Sequence, residues 1–345
     1  HSHTPPPTPT TTPRASRRQR QMCIRDSNNA TAATISGSIL SQTGLLTLEA
    51  VSDATIESIT SSAGLSQNNA GVAGTVSINE ISNTVEASVT ATQQAAGVPL
   101  SAGAISLSAR DGTTIRAISG AVGVSKNIGF GAAVSYNAVN NTVSAHVDSS
   151  SIDTTGSLSL AAESTSLIET ITVGVAGGKS LGLSGSVSLN SITNTVDAYI
   201  GNNADIEASD VSLSASDTST VKVIAGGVAI ASSAAIGAAV AINDVDNTIT
   251  ASVDAATVTT TGALSLSATS DAGLDTLAVG GAVSGTFAGA GSVSLNDIAN
   301  TVEASITGGA TVDAGSMSLA ATDTSAIEAL AGGVAGAGSV AIGAG

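Results

Sequence analysis

Side chains able to do chemistry are sparse in this chain of 345 residues, and their spacing does not converge on one centre. Hard oxygen ligands gather once, at Asn243, Asp244, Asp246 and Asn247, with Asn296-Asp297 as an echo; oxygen-rich clusters of this kind suit calcium. The equivalents of Asp244 elsewhere are Glu80, Ala138 and Ser191, so the carboxylates do not persist, and the Gly-rich nonapeptide of calcium-binding β-rolls is absent. A solvated acidic face is expected there, with calcium the one cofactor these residues favour. His146 has no His or Cys at ligand spacing and is expected to be a surface residue. Arg110, Arg116, Lys126, Lys179 and Lys222 scatter and never recur in a column with paired carboxylates. Polysaccharide cleavage needs an acid, a base and a cation in one groove, so no enzyme is expected. Gly285 to Gly291 precedes no Lys-Ser/Thr and is no phosphate loop. Thr259-Thr260-Thr261 occurs once and out of register, which argues against an ice-binding array.

What must position these residues is a repeat. Asn-x-(Ile/Val)-x-Asn-Thr-(Val/Ile) occurs five times, beginning at Asn79, Asn137, Asn190, Asn243 and Asn296. The second asparagines, Asn83, Asn141, Asn194, Asn247 and Asn300, are 58, 53, 53 and 53 residues apart. An independent column, Leu48, Leu107, Leu160, Leu213, Leu266 and Leu319, keeps the same period after a first interval of 59. The longer first interval reads as an insertion around Gln93 to Pro99.

Within a repeat the apolar period is two: Leu264, Leu266 and Ala268 share one face, and Ser265 and Ser267 the other. Val293 and Leu295 read as inward at odd positions, whereas Ile298, Val302, Ala304 and Ile306 read as inward at even ones. That change of phase predicts a corner or bulge at Asn296-Asp297. It also places Asn300 on the inward face, and a buried asparagine needs hydrogen-bond partners. Directly stacked repeats supply them as an amide ladder through Asn83, Asn141, Asn194, Asn247 and Asn300. One repeat cannot bury its own apolar face but a stack can. The expected fold is therefore all-β, an elongated β-solenoid resembling a parallel β-helix. Fifty-three residues would make a very long single coil, so one coil per repeat and two or three shorter coils both remain open.

Composition divides the chain. Residues 1–16 are Pro/Thr-rich and of low complexity. Residues 17–27 read RRQRQMCIRDS, which matches in all eleven positions the translation of a transposase-type sequencing-library adaptor, and they are set aside from the fold. Residues 28–345 form the repeat region, open at both ends, with five basic residues against 25 carboxylates, a net charge of −20. The only Cys falls before residue 28, and cysteine-free sequence fits exposure outside the cell. Strong acidity opposes nucleic-acid binding, which needs clustered Lys and Arg. Ala225 to Ile242 is an uncharged run of 18 residues, but its Gly, Ser and Ala content and lack of an aromatic belt oppose membrane insertion.

Segments such as Ser294 to Ile306 (SLNDIANTVEASI) and Ala331 to Gly345 (AGGVAGAGSVAIGAG) resemble the β-strand repeats of large bacterial adhesins of the filamentous-haemagglutinin and leukotoxin-like kind. The resemblance covers essentially all of residues 28–345. It implies a non-catalytic stalk, exported across the outer membrane and displayed at the cell surface or released. Through the full-length protein such a stalk would meet host cells, matrix or other bacteria. Ser339 to Gly345 (SVAIGAG) is similar to head repeats of trimeric autotransporter adhesins, but those repeats are much shorter and Gly74 to Asn79 departs from the motif. A further alternative is a module whose solenoid face binds glycan or matrix protein directly.

Overall fold

A computed structural model describes residues 19–38, 40–41, 44–92 and 99–345. Residues 1–16 and all of the expected insertion except Pro99 lie outside the described residues. The fold is an all-β parallel solenoid whose strands, among the described residues, form two sheets, one of eleven strands and one of nine.

One coil takes one whole repeat. A representative coil runs through strands Leu181–Ile192 and Thr195–Gly201 in the first sheet. It then turns through Asp205–Ala208 and returns along Val211–Ala231 in the second. Every strand pairs in parallel with its equivalent in the next coil, in this coil 53 residues on: Leu181 with Ala234, Thr195 with Thr248 and Val211 with Leu264. The unusual circuit is accommodated by flattening, because a return strand of 21 residues spans about 70 Å.

Alternation along the return strand sets the cross-section. Its inward residues run Val211, Leu213, Ala215, Asp217, Ser219, Val221, Val223, Ala225, Gly227, Ala229 and Ala231, all buried. Large aliphatics fill one end, where the leucine column stacks with Leu107, Leu160, Leu213 and Leu266 at most 1% exposed. Only Gly, Ala, Ser and Thr line the other end. There a Cβ on Gly227 would fall inside the van der Waals shell of the Ala238 carbonyl oxygen on the facing sheet, so the backbones themselves are in contact. The coil is a wedge with a wide aliphatic end and a thin Gly/Ala edge.

At the wide end the chain turns through a left-handed position in each coil, occupied by Ala91, Ser149, Asn202, Ala255 and Gly308 with φ between 47° and 64°. Only the glycine adopts it without steric cost.

The expected change of phase does not occur. Val293 and Leu295 face outward, 50% and 55% exposed, while Ser292 is buried, and Ser294, Asn296, Ile298, Asn300 and Val302 continue on the same parity. Assigning aliphatics to the interior misplaced them, because the interior of this edge has room only for small side chains. The ladder is interrupted instead at Ala299-Asn300 and at 140–141, 193–194 and 246–247, with no shift of the alternation. The uncharged run Ala225 to Ile242 is the end of one strand, a Ser232-Ser233 turn and the start of the next. No helix among the described residues is long and apolar enough to cross a membrane.

Candidate functional site

The concentrated polar chemistry lies inside the wedge, as two axial columns of asparagine. In the column expected from sequence, Oδ1 of Asn141, Asn194, Asn247 and Asn300 accepts from a backbone N–H one coil away. Asn83 N–H donates to Asn141 at 2.9 Å, Asn141 to Asn194 at 3.3 Å, Asn194 to Asn247 at 2.8 Å and Asn247 to Asn300 at 3.2 Å. The side-chain acceptors sit where their strands are interrupted, at Asn141, Asn194, Asn247 and Asn300, so the side chain replaces a missing ladder partner. The amide-to-amide ladder belongs to the other asparagine of the motif. Asn79 Nδ2 donates to Asn137 Oδ1 at 2.7 Å, and Asn137, Asn190 and Asn243 each donate to the next at 2.8 Å. The expected column does not form such a ladder because its Nδ2 groups are taken by the facing sheet.

Their acceptors are buried carboxylates. Asn83 and Asn141 both donate to Asp111, at 2.9 and 2.8 Å, and Asn194 and Asn247 both donate to Asp217, at 2.9 and 2.8 Å. Asp217 is 1% exposed and Asp111 3%. In register, this position reads Ser52, Asp111, Ser164, Asp217, Ser270 and Asp323. Carboxylates therefore occupy alternate coils. Aspartate in every coil would stack like charges one strand spacing apart in a low dielectric, whereas alternation lets one carboxylate serve the amides of two coils. A second position, Ser58, Ala117, Thr170, Val223, Thr276 and Ala329, alternates in the opposite sense. Thr170 and Thr276 meet the Asn79 column there, accepting from Asn137 and Asn243 at 2.8 Å. The structural repeat is thus two coils, a period that columnwise comparison of Asp/Ser and Thr/Ala would have exposed in the sequence.

Burial pushes the Asp111 and Asp217 carboxyls above the ordinary aspartate range, and the hydrogen bonds from Thr113 and Asn83, or from Ser219 and Asn194, offset this only in part. The polar layer also separates the wide aliphatic core from the middle one, locking the two sheets in register.

The four calcium candidates are not brought together. Asn243 and Asn247 enter the interior, 1% and 0% exposed, whereas Asp244 and Asp246 have the opposite parity and face outward. Burial, together with Asp297 and Asp246, raises the Asp244 carboxyl. No group of three or more His, Cys, Asp or Glu placed to hold a metal occurs among the described residues.

His146 is 8% exposed rather than a surface residue, because its ring stacks on Tyr199 with centroids 4.7 Å apart. Burial lowers its pKa against the opposing pull of Glu86, at 3.8 Å, and Asp148. On the outer face of the second sheet, Arg116 joins Glu169 at 2.8 Å and Glu57 at 3.7 Å across neighbouring coils. Next to that row runs an axial groove of about 770 Å³, with Glu169, Lys222 and Asp275 on one side and Ile171, Ile224 and Leu277 on the other.

The fold does not break at Asn28, because Gln19–Ser36 is one strand paired in register with Ala73 to Thr90. The column chemistry does break. Arg25 stands opposite Asn79, Ser27 opposite buried Ile81, and the motif resumes with Asn29 donating to Asn83 at 3.2 Å. Asn79 Oδ1, which in later coils accepts from an asparagine, is buried without a partner among the described residues. Arg25→Asn with Ser27→Ile is expected to raise stability by about 2 kcal/mol through one hydrogen bond and one buried aliphatic side chain. Thermal melting checks it; an unchanged or lowered midpoint would contradict the column argument.

Comparison of the chain with protein-family models, with curated proteins and with solved structures returns no match.

Proposed function

We propose that the chain is a non-catalytic stalk segment of a secreted or surface-displayed bacterial adhesin, working outside the cell as a stiff acidic spacer. One observation carries this reading: the buried asparagines recur coil after coil, and with Asp111 and Asp217 they bind coil to coil and sheet to sheet. Such an array resists shear between coils, because any slip breaks every column at once. Adhesion to host cells, matrix or other bacteria would then belong to regions joined to it. We further propose that Arg17 to Ser27 is foreign to the native solenoid, on the strength of the broken columns at Arg25 and Ser27.

Direct binding of a glycan or matrix protein is a second reading, favoured by the groove beside Lys222 and Ile224. The two are separated by exchanging these coils for an unrelated solenoid of equal length in the parent protein. A spacer survives the exchange, and a binding module does not.

A further inference from the structure

The thin edge of the wedge is built inside out. Its interior holds glycine, alanine and buried hydroxyls such as Thr75, Ser119, Thr172 and Ser186, while its aliphatic side chains point outward. On the first sheet this outer face comprises residues 70–78, 128–136, 181–189, 234–242 and 287–295. Those five segments contain no charged residue, in a chain of net charge −16.

The relief of the face is regular. A valine column, Val76, Val134, Val187, Val240 and Val293, runs beside a small-residue column, Gly74, Ala132, Gly185, Ala238 and Gly291. Bulkier columns flank the pair, with Phe130 and Ile236 on one side and Tyr136 and Ile242 on the other, each between 36% and 42% exposed. A ridge beside a furrow of matching pitch is self-complementary. A twofold axis parallel to the solenoid axis, running between the two columns, would seat the valines of each copy in the furrow of the other.

We propose that this face is where two copies of the chain pair side by side, with their solenoid axes parallel. Nine residues at about 3.3 Å by five coils at about 4.8 Å give a footprint of roughly 700 Å² per copy. That is close to the ~800 Å² each partner contributes to a stable interface, and exceeds the roughly 300–600 Å² of the largest apolar patch on a typical monomer. Charge selects the same occupant. Two strongly acidic chains repel wherever carboxylates meet, and this face is free of them. At its borders the twofold sets the turn carrying Lys126 and Lys179 over the opposite rim of the other copy, where Glu80, Asp244 and Asp246 lie one coil away. Lipid is a poorer fit, since neither an aromatic belt nor a basic rim surrounds the patch. Paired stalks would be stiffer than single ones and would present whatever they carry two at a time.

Sedimentation velocity on the full chain, across micromolar concentrations, tests the pairing. The wild type is expected to sediment as a dimer. Val187→Lys with Val240→Lys should weaken the dimer at least about 100-fold, because each lysine would be buried unpaired. The same exchange at Val175 and Val228, on the outer face of the second sheet, should leave it intact. If the lysine pair fails to fold, the near-isosteric Val187→Thr with Val240→Thr should still weaken association at unchanged circular dichroism. A wild type that stays monomeric overturns the proposal, as does a dimer that survives these substitutions, which would point to contact through the open solenoid ends. Flotation of the wild type with phosphatidylcholine vesicles, lost in the Val187/Val240 variants, would overturn it in favour of a lipid surface.

Discussion

Gly227→Ala is expected to destabilise the solenoid by about 3 kcal/mol, at the upper end of what overpacking costs. The new Cβ would meet the carbonyl oxygen of Ala238, a backbone atom that cannot rotate away, so the sheets must part along the thin edge. Adjacent Gly226 supplies the control. Its Cβ would point outward and come no closer than 3.7 Å to a Val173 methyl. Gly226→Ala is therefore expected to be neutral or to stabilise by up to ~1 kcal/mol, because glycine in a strand pays a larger entropy of ordering. Thermal melting of the two variants side by side decides the matter. Equal effects would mean that the sheets are not in backbone contact.

The second large effect concerns pH. Asp111 and Asp217 have carboxyl pKa values raised by burial, so the folded chain holds their protons more tightly than the unfolded chain does. A raised acid contributes stability that is fully present below the unfolded value of about 3.9 and is lost as pH rises through the folded value. Melting temperature should thus climb on acidification from neutral pH toward about 4, where both states become protonated and the gain ends. General relief of charge repulsion acts in the same direction, so a variant must isolate the buried pair. Asp111→Ser with Asp217→Ser places at both buried positions the residue that alternate coils already carry, leaving only the exposed Asp323 in the column. It should melt lower at acidic pH, having lost two acceptors shared by four asparagines, and its profile should be flatter than that of the wild type. Asp217→Asn should be worse than serine at any pH, since its amide would point donors at those of Asn194 or Asn247, at a cost of about 1–3 kcal/mol. A parallel pH profile in the serine variant would show that these carboxylates do not carry the dependence.

Much of the architecture was legible in the residues. The period of 53, the strand alternation and the inward placement of Asn83 and its equivalents follow from spacing alone, because stacking forces equivalent residues into register. Three features were not legible, each for a physical reason. The number of coils per repeat depends on where the chain turns, and the turn positions Ala91, Ser149, Asn202 and Ala255 carry no common residue type. Val293 and Leu295 point outward against the expectation because hydrophobic residues normally point inward, and here the narrow interior reverses the rule. The calcium candidates were drawn together by closeness in sequence. Along a strand, however, neighbours alternate faces, which sends Asn243 and Asn247 one way and Asp244 and Asp246 the other. The Asp/Ser alternation, by contrast, was present in the sequence and is a signal that a search for one period overlooks.

In the proposed spacer role these coils act by length and stiffness rather than by recognition. Attachment of cells displaying the parent protein, with the coils of residues 70–345 replaced by an unrelated solenoid of equal length, measures that claim directly. Attachment is expected to be unchanged within about twofold, a difference below 0.5 kcal/mol. Loss of attachment at constant length, with the exchanged protein displayed at the normal level, would contradict it and assign recognition to the solenoid face itself.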